Sequence, residues 1–242
     1  DASNYRVLDM RGGIQNAFNG GALVAYHHNT VGGYNPAKLS IYQDLIENQW
    51  YKFPNCLPVV NMMNTKYVIT GNIATDTIAN PEALGNVWFV KGIEYKKGPA
   101  EIMSSLSNFN PKDTAIIEEK DKLNELTAIN YDSAATINLV ENKNDIVTYS
   151  SNANQKQFAV FSEVYYKLGW KAYIDEVESP IIKTNYVLRG LMIPAGKHNI
   201  RFEFKPSSIA MAQKASLFAS IILWGLLIGI IIKSFKKENS LS

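Results

Sequence analysis

The densest run of polar and aromatic residues is Ala25-Tyr-His-His-Asn-Thr-Val-Gly-Gly-Tyr-Asn-Pro-Ala-Lys38. Its paired glycines permit close backbone approach, and Asn35 before Pro36 has the form of an N-cap and first helical residue, which would turn free N–H groups toward a ligand. His27, His28, Tyr34 and Lys38 are therefore candidates to hold an anion or a polar ligand, and Asn64-Thr-Lys66 is a second candidate of the same kind. A plain loop ahead of a capped helix would have the same composition. Tyr166, Trp170 and Tyr173, beside Tyr165, could stack on sugar rings through their faces, although packing in a core uses the same residues. No metal site is expected: two of the three histidines are adjacent, and neighbours on a regular element do not face one ion together. His198 reads as an exposed strand residue next to a turn. Nucleophile elbows, zinc-protease helices, Walker loops and dinucleotide fingerprints are missing, so a self-contained hydrolase is not expected.

The elements that must position these residues fall into two textures. Asn4 to Met10 reads as a strand ending at Gly12-Gly13, and Leu39, Tyr42, Leu45 and Ile46 have the spacing of a helix that starts at Asn35-Pro36 and ends near Asn48. Pro54 and Pro58 break the next stretch. Strands follow at Tyr67, at Val87-Trp-Phe-Val and at Thr114-Ala-Ile-Ile, with a helix opened by Pro99 that carries Ile102, Met103 and Leu106 on one face. Beyond residue 128 the helix signals stop and extended segments recur between Gly, Pro and Asn turns. The clearest is Asn199 to Lys205, with Ile200, Phe202 and Phe204 on one face. The expected fold class is α+β: a mixed α/β unit over 1–128, an antiparallel β-sandwich of jelly-roll type over 129–208, a transmembrane helix over 209–233 and a tail over 234–242.

Ala215 to Ile232 carries no charge between Lys214 and Lys233. Eighteen residues at about 1.5 Å each approach the ~30 Å of a bilayer's hydrocarbon, so this segment is read as a span. Three lysines against one glutamate follow it, and basic residues near a helix end are retained in the cytoplasm. The preceding domain is thus expected outside a bacterial cytoplasmic membrane, with the C-terminus inside. That tail supplies the whole formal charge of +2, leaving the rest neutral, so no phosphate backbone is matched and nucleic acid is not an expected partner. Cys56 is the sole cysteine and reads as a packing residue. DASNYRVLDM contains no export signal, which implies either a removed signal peptide or the end of a longer membrane protein.

Five strings, YHHNTVGGYNPAKLSIYQDLIE, NMMNTKYVI, NPEALGNVWFV, FSEVYYKLGWKAYID and YVLRGLMIPAGKHNIRFEFKP, together resemble the C-terminal part of the YfhO-like family of bacterial membrane proteins. The resemblance runs from Tyr5 to the final helix. It implies a multi-pass protein of the GT-C glycosyltransferase type, in which a catalytic acid lies upstream of these residues and a polyprenyl-phosphate-linked sugar modifies a cell-envelope glycan. Implied partners are membrane lipid, the lipid-linked sugar or envelope glycan, and further transmembrane helices of the same protein or of partner subunits. The fragment itself implies no cofactor, and a divalent metal in the full-length protein stays open. The alternative is a non-catalytic, membrane-anchored glycan-binding or scaffold module. The chain departs from the family pattern at Glu176-Val177, where glycine is expected, which suggests a longer or differently shaped hairpin.

Overall fold

The computed structural model describes residues 4–20, 23–33, 35–122 and 129–238. Near its N-terminus, β1 (Arg6–Asp9) runs parallel to β2 (Thr65–Ile69), and β3 (Thr77–Ala79) completes the sheet antiparallel to β2. A parallel pair needs a long crossover. That crossover carries α1 (Ile14–Asn19), α2 (Leu23–His27), α3 (Ser40–Asn48) and α4 (Leu57–Met62). It buries Phe18, Leu45, Ile46, Trp50, Val59 and Met62 in one cluster with Leu8 of β1.

Two local expectations are corrected. Helix α3 begins at Ser40 behind Leu39, not at Asn35-Pro36; the Asn35 side chain accepts the Ala37 N–H at 2.9 Å, as an N-cap would, but the turn does not continue into a helix. The other Asn-Pro pairs do likewise, Asn80 accepting from Glu82 and Asn110 from Lys112, both at 3.1 Å. Proline has no N–H, so the donor two residues on captures the asparagine oxygen. Pro58 does not break its segment; it sits in the first turn of α4, where a missing N–H costs nothing.

The strands β4 (Val87–Phe89), β5 (Gly92–Lys96) and β6 (Thr114–Glu118), with α5 (Pro99–Ser105) between the last two, precede residue 128. After it come β7 (Thr136–Asn142), β8 (Ile146–Ala153), β9 (Gln157–Val164), β10 (Trp170–Ile174), β11 (Val177–Ser179), β12 (Ile182–Thr184), β13 (Leu188–Ile193) and β14 (Gly196–Phe204). One sheet has the order β11-β10-β14-β8-β7 and the other β4-β9-β13-β12-β6-β5, so the second takes three strands from each side of residue 128. Its β5 and β6 are parallel, and its other pairs antiparallel. The two sheets form a sandwich-like arrangement whose aromatic centre joins Tyr149 and Phe202 of one sheet to Phe161 of the other. Centroids there lie 4.8–6.0 Å apart in edge-on geometry.

The β10–β11 turn is a two-residue hairpin, not a longer one. Asp175 and Glu176 both take positive φ, 49° and 68°, as a type I′ turn requires. Their side chains offset the missing glycine: Asp175 accepts the Asn199 N–H at 2.9 Å and holds His198 at 2.6 Å, and Glu176 pairs with Arg201 at 2.6 Å. His198 is therefore an ion-pair partner rather than a bare exposed residue. Its other ring nitrogen faces the Ala195 carbonyl at 3.1 Å, and the Asp175 bond raises its pKa.

The last strand leads into α6 (Ser207–Glu238), whose stretch Met211–Ile230 is long and apolar enough to cross a membrane and has no buried share. Residues 167–170 group with the chain from Phe204 onward as one unit, apart from the remainder.

Candidate ligand cleft

The loop between α2 and α3 does border a cleft. A cavity of ≈ 300 Å³ is lined by Thr30, Gly32, Gly33, Asn35 and Lys38 of this loop, by Tyr42 and Ile46 of α3, and by Arg6, Phe18 and Met63. The glycines are needed for the fold rather than for a ligand. A Cβ on Gly32 would stand 1.9 Å from the Ala17 carbonyl oxygen, the same atom that accepts the Gly33 N–H at 2.7 Å. Both glycines thus seat the loop on the end of α1 and fix the cleft wall.

Two cations face this cavity. Lys38 is held by the Phe18 carbonyl, with the Asn19 amide oxygen at 3.5 Å. Arg6, on β1, donates to the carbonyls of Met63 at 3.1 Å and Ser162 at 2.6 Å and pairs with Glu163 at 3.0 Å, with 16% of its side chain exposed. Tyr42 donates to the Val31 carbonyl at 2.5 Å, and burial pushes its phenol well above the ordinary value, so it stays a neutral donor. The cleft therefore offers positive charge and apolar wall but no carboxylate pair or nucleophile–base pair among its described lining.

The other sequence candidates are dispersed. His27 and His28 are exposed at the end of α2, His27 packing edge-on against Tyr26 at 4.9 Å, and neither lines the cleft. Tyr34 lies outside the described residues. Asn64 and Lys66 belong to a second cavity, of ≈ 420 Å³, with Asn80, Asn86 and Asn138. There Asn64, at φ 52°, donates to the Asn4 carbonyl and to Asn86, while Lys66 lies 5.4 and 5.8 Å from the rings of Tyr5 and Tyr67. The neighbours Met63 and Asn64 thus line different cavities.

No family model, curated protein or solved structure matches this chain. Its site must be judged on its own geometry. Of the aromatic candidates, Tyr173 is capped by the Arg201 guanidinium at 4.4 Å and Trp170 packs on Phe204 at 5.4 Å, so both rings have protein partners. Tyr166 is half-buried. Among the described residues no group of three His, Cys, Asp or Glu could hold a metal. Cys56 is fully buried, and burial lifts its thiol to about 12, which makes it a packing residue. Arg6 is not among the sequence candidates because Asn4 to Met10 reads only as a strand, and its partners Met63, Ser162 and Glu163 are far away in sequence.

Proposed function

We propose that this chain is the extracytoplasmic C-terminal portion of a multi-pass, YfhO-like membrane protein, a glycosyltransferase of the GT-C type that takes its sugar from a polyprenyl phosphate. In this role the Arg6–Lys38 cleft holds the anionic, sugar-bearing head of a lipid, and the catalytic acid lies upstream. The helix α6 crosses a bacterial cytoplasmic membrane, with the three lysines of its C-terminal end inside. The observation that carries this reading is the pair of cations on one apolar-walled cleft, in a chain that carries a helix fit to span a bilayer. The five family-like strings support it, and one of them supplies Lys38.

Binding tests it. Full chain in detergent or nanodiscs is titrated with polyprenyl phosphate, and Lys38→Ala is expected to weaken binding roughly tenfold, the loss of one charge-assisted contact worth about 1.4 kcal/mol. Thermal melting checks that the variant stays folded. Equal affinity for wild type and variant refutes the cleft as the phosphate site. A non-catalytic glycan-binding module is the second reading, favoured by the bond-breaking groups missing from the described cleft; it predicts binding of glycan without the lipid phosphate.

A further inference from the structure

The turn Lys167-Leu168-Gly169-Trp170 is tied to the root of α6 and belongs to the same unit. The Lys205 N–H donates to the Gly169 carbonyl at 2.7 Å, and Trp170 packs on Phe204 with centroids 5.4 Å apart. Gly169 lies directly beneath the Phe204 ring: a Cβ there would come within 2.0 Å of the ring carbon Cε2, so only glycine allows this closeness. So clamped, the turn holds Leu168 out with 72% of its surface exposed, next to exposed Lys167. A single exposed leucine is ordinary on a protein surface, but this one is fixed on a constrained turn at the root of an apolar helix, and that position invites a reading.

Its depth supplies one. Helix α6 begins at Ser207 and its apolar stretch at Met211, four residues and thus about 6 Å further along. Headgroup layers are roughly 5–8 Å deep on each side of the hydrocarbon. Lys205 precedes Ser207 by two residues, up to about 7 Å more of extended chain, so the turn bonded to it stands about 9–13 Å out from Met211, at the outer edge of the headgroup layer when α6 spans a bilayer. The charges agree with that placement: Lys167 and Lys205 lie at the junction, and no Asp or Glu occurs from Phe204 to Lys237. A tryptophan, an exposed leucine and flanking lysines are the combination that suits an apolar-to-polar boundary carrying anionic headgroups.

We infer that Lys167–Trp170 is a membrane-interface anchor, with Leu168 inserted among lipid headgroups and Lys167 and Lys205 set against their phosphates. This fixes how α6 enters the bilayer at its root. The inference rests on α6 being a span.

The test is depth-dependent fluorescence quenching on full chain in vesicles containing phosphatidylglycerol. Leu168→Cys takes an NBD label; buried Cys56, whose thiol is lifted to about 12, does not compete. Ile221→Cys marks mid-span, and NBD-labelled N-acetylcysteine in the same vesicle suspension marks water. Headgroup spin-labelled lipid is expected to quench the residue-168 label about threefold or more beyond the water marker. Quenching at 168 equal to the water marker, with the 221 label in lipid, overturns the anchor and leaves the span standing. A 221 label that stays in water overturns the span and the anchor with it.

Discussion

Arg6→Leu is expected to destabilise the unit that carries β1 by about 3 kcal/mol, a Tm loss of roughly 10 °C, measured by thermal and denaturant unfolding. Three partners are lost at once. The guanidinium ties β1 to the Met63 carbonyl, to the Ser162 carbonyl on β9 and to Glu163 beside it, and Ser162 is 1% exposed, so its carbonyl loses a donor that water does not readily replace. Glu163 keeps attraction from Arg189, which lies 3% exposed on β13 and whose pKa burial drives down to about 10; this keeps the cost below that of a fully isolated charge. Arg6→Lys keeps one charge but not the planar fork, and is expected to recover less than half of the loss. An Arg6→Leu protein within about 1 kcal/mol of wild type would contradict this role.

Phe161→Ala is expected to cost about 3–5 kcal/mol, out of the 5–15 kcal/mol that a domain usually has. Phe161 is fully buried on β9, edge-on to Tyr149 at 4.9 Å and to Phe202 at 4.8 Å across the sandwich. Removing the ring leaves a cavity between the two sheets that neither backbone can fill, and it deletes two aromatic contacts as well. Phe161→Leu retains most of the volume and should lose under about 2 kcal/mol, so the difference between the two variants isolates the cavity term. Calorimetry on both checks it; equal losses would place the cost in aromatic geometry rather than in volume.

What the sequence revealed follows from how local each signal is. Helix α6 was legible because eighteen uncharged residues between two lysines need no tertiary context. The inner face of β14 was legible from Ile200 and Phe202, which are 0% and 1% exposed. Pro99 and the face of Ile102, Met103 and Leu106 marked α5 for the same reason. The start of α3 was not, because an asparagine before proline makes the same bond whether it caps a helix or closes an isolated turn. The strands β3, β5, β11 and β12 are three to five residues long, too short for alternation to accumulate. In the cleft, Lys38 stood out beside paired glycines and an Asn-Pro turn. Arg6 did not, since its ionic partner is 157 residues away, a pairing that only the fold creates. Asn64 and Lys66 had the right chemistry but line another cavity, which residue type alone does not separate from the first.

The most direct measurement is the intact mass, with N-terminal sequencing, of the polypeptide that carries these residues in its native membrane. The proposal of a multi-pass transferase predicts a mass several-fold above the 27.0 kDa of this chain, with further spans upstream of Asp1. A mass near 27.0 kDa with a processed N-terminus at Asp1 would contradict it and leave a single-span binding module.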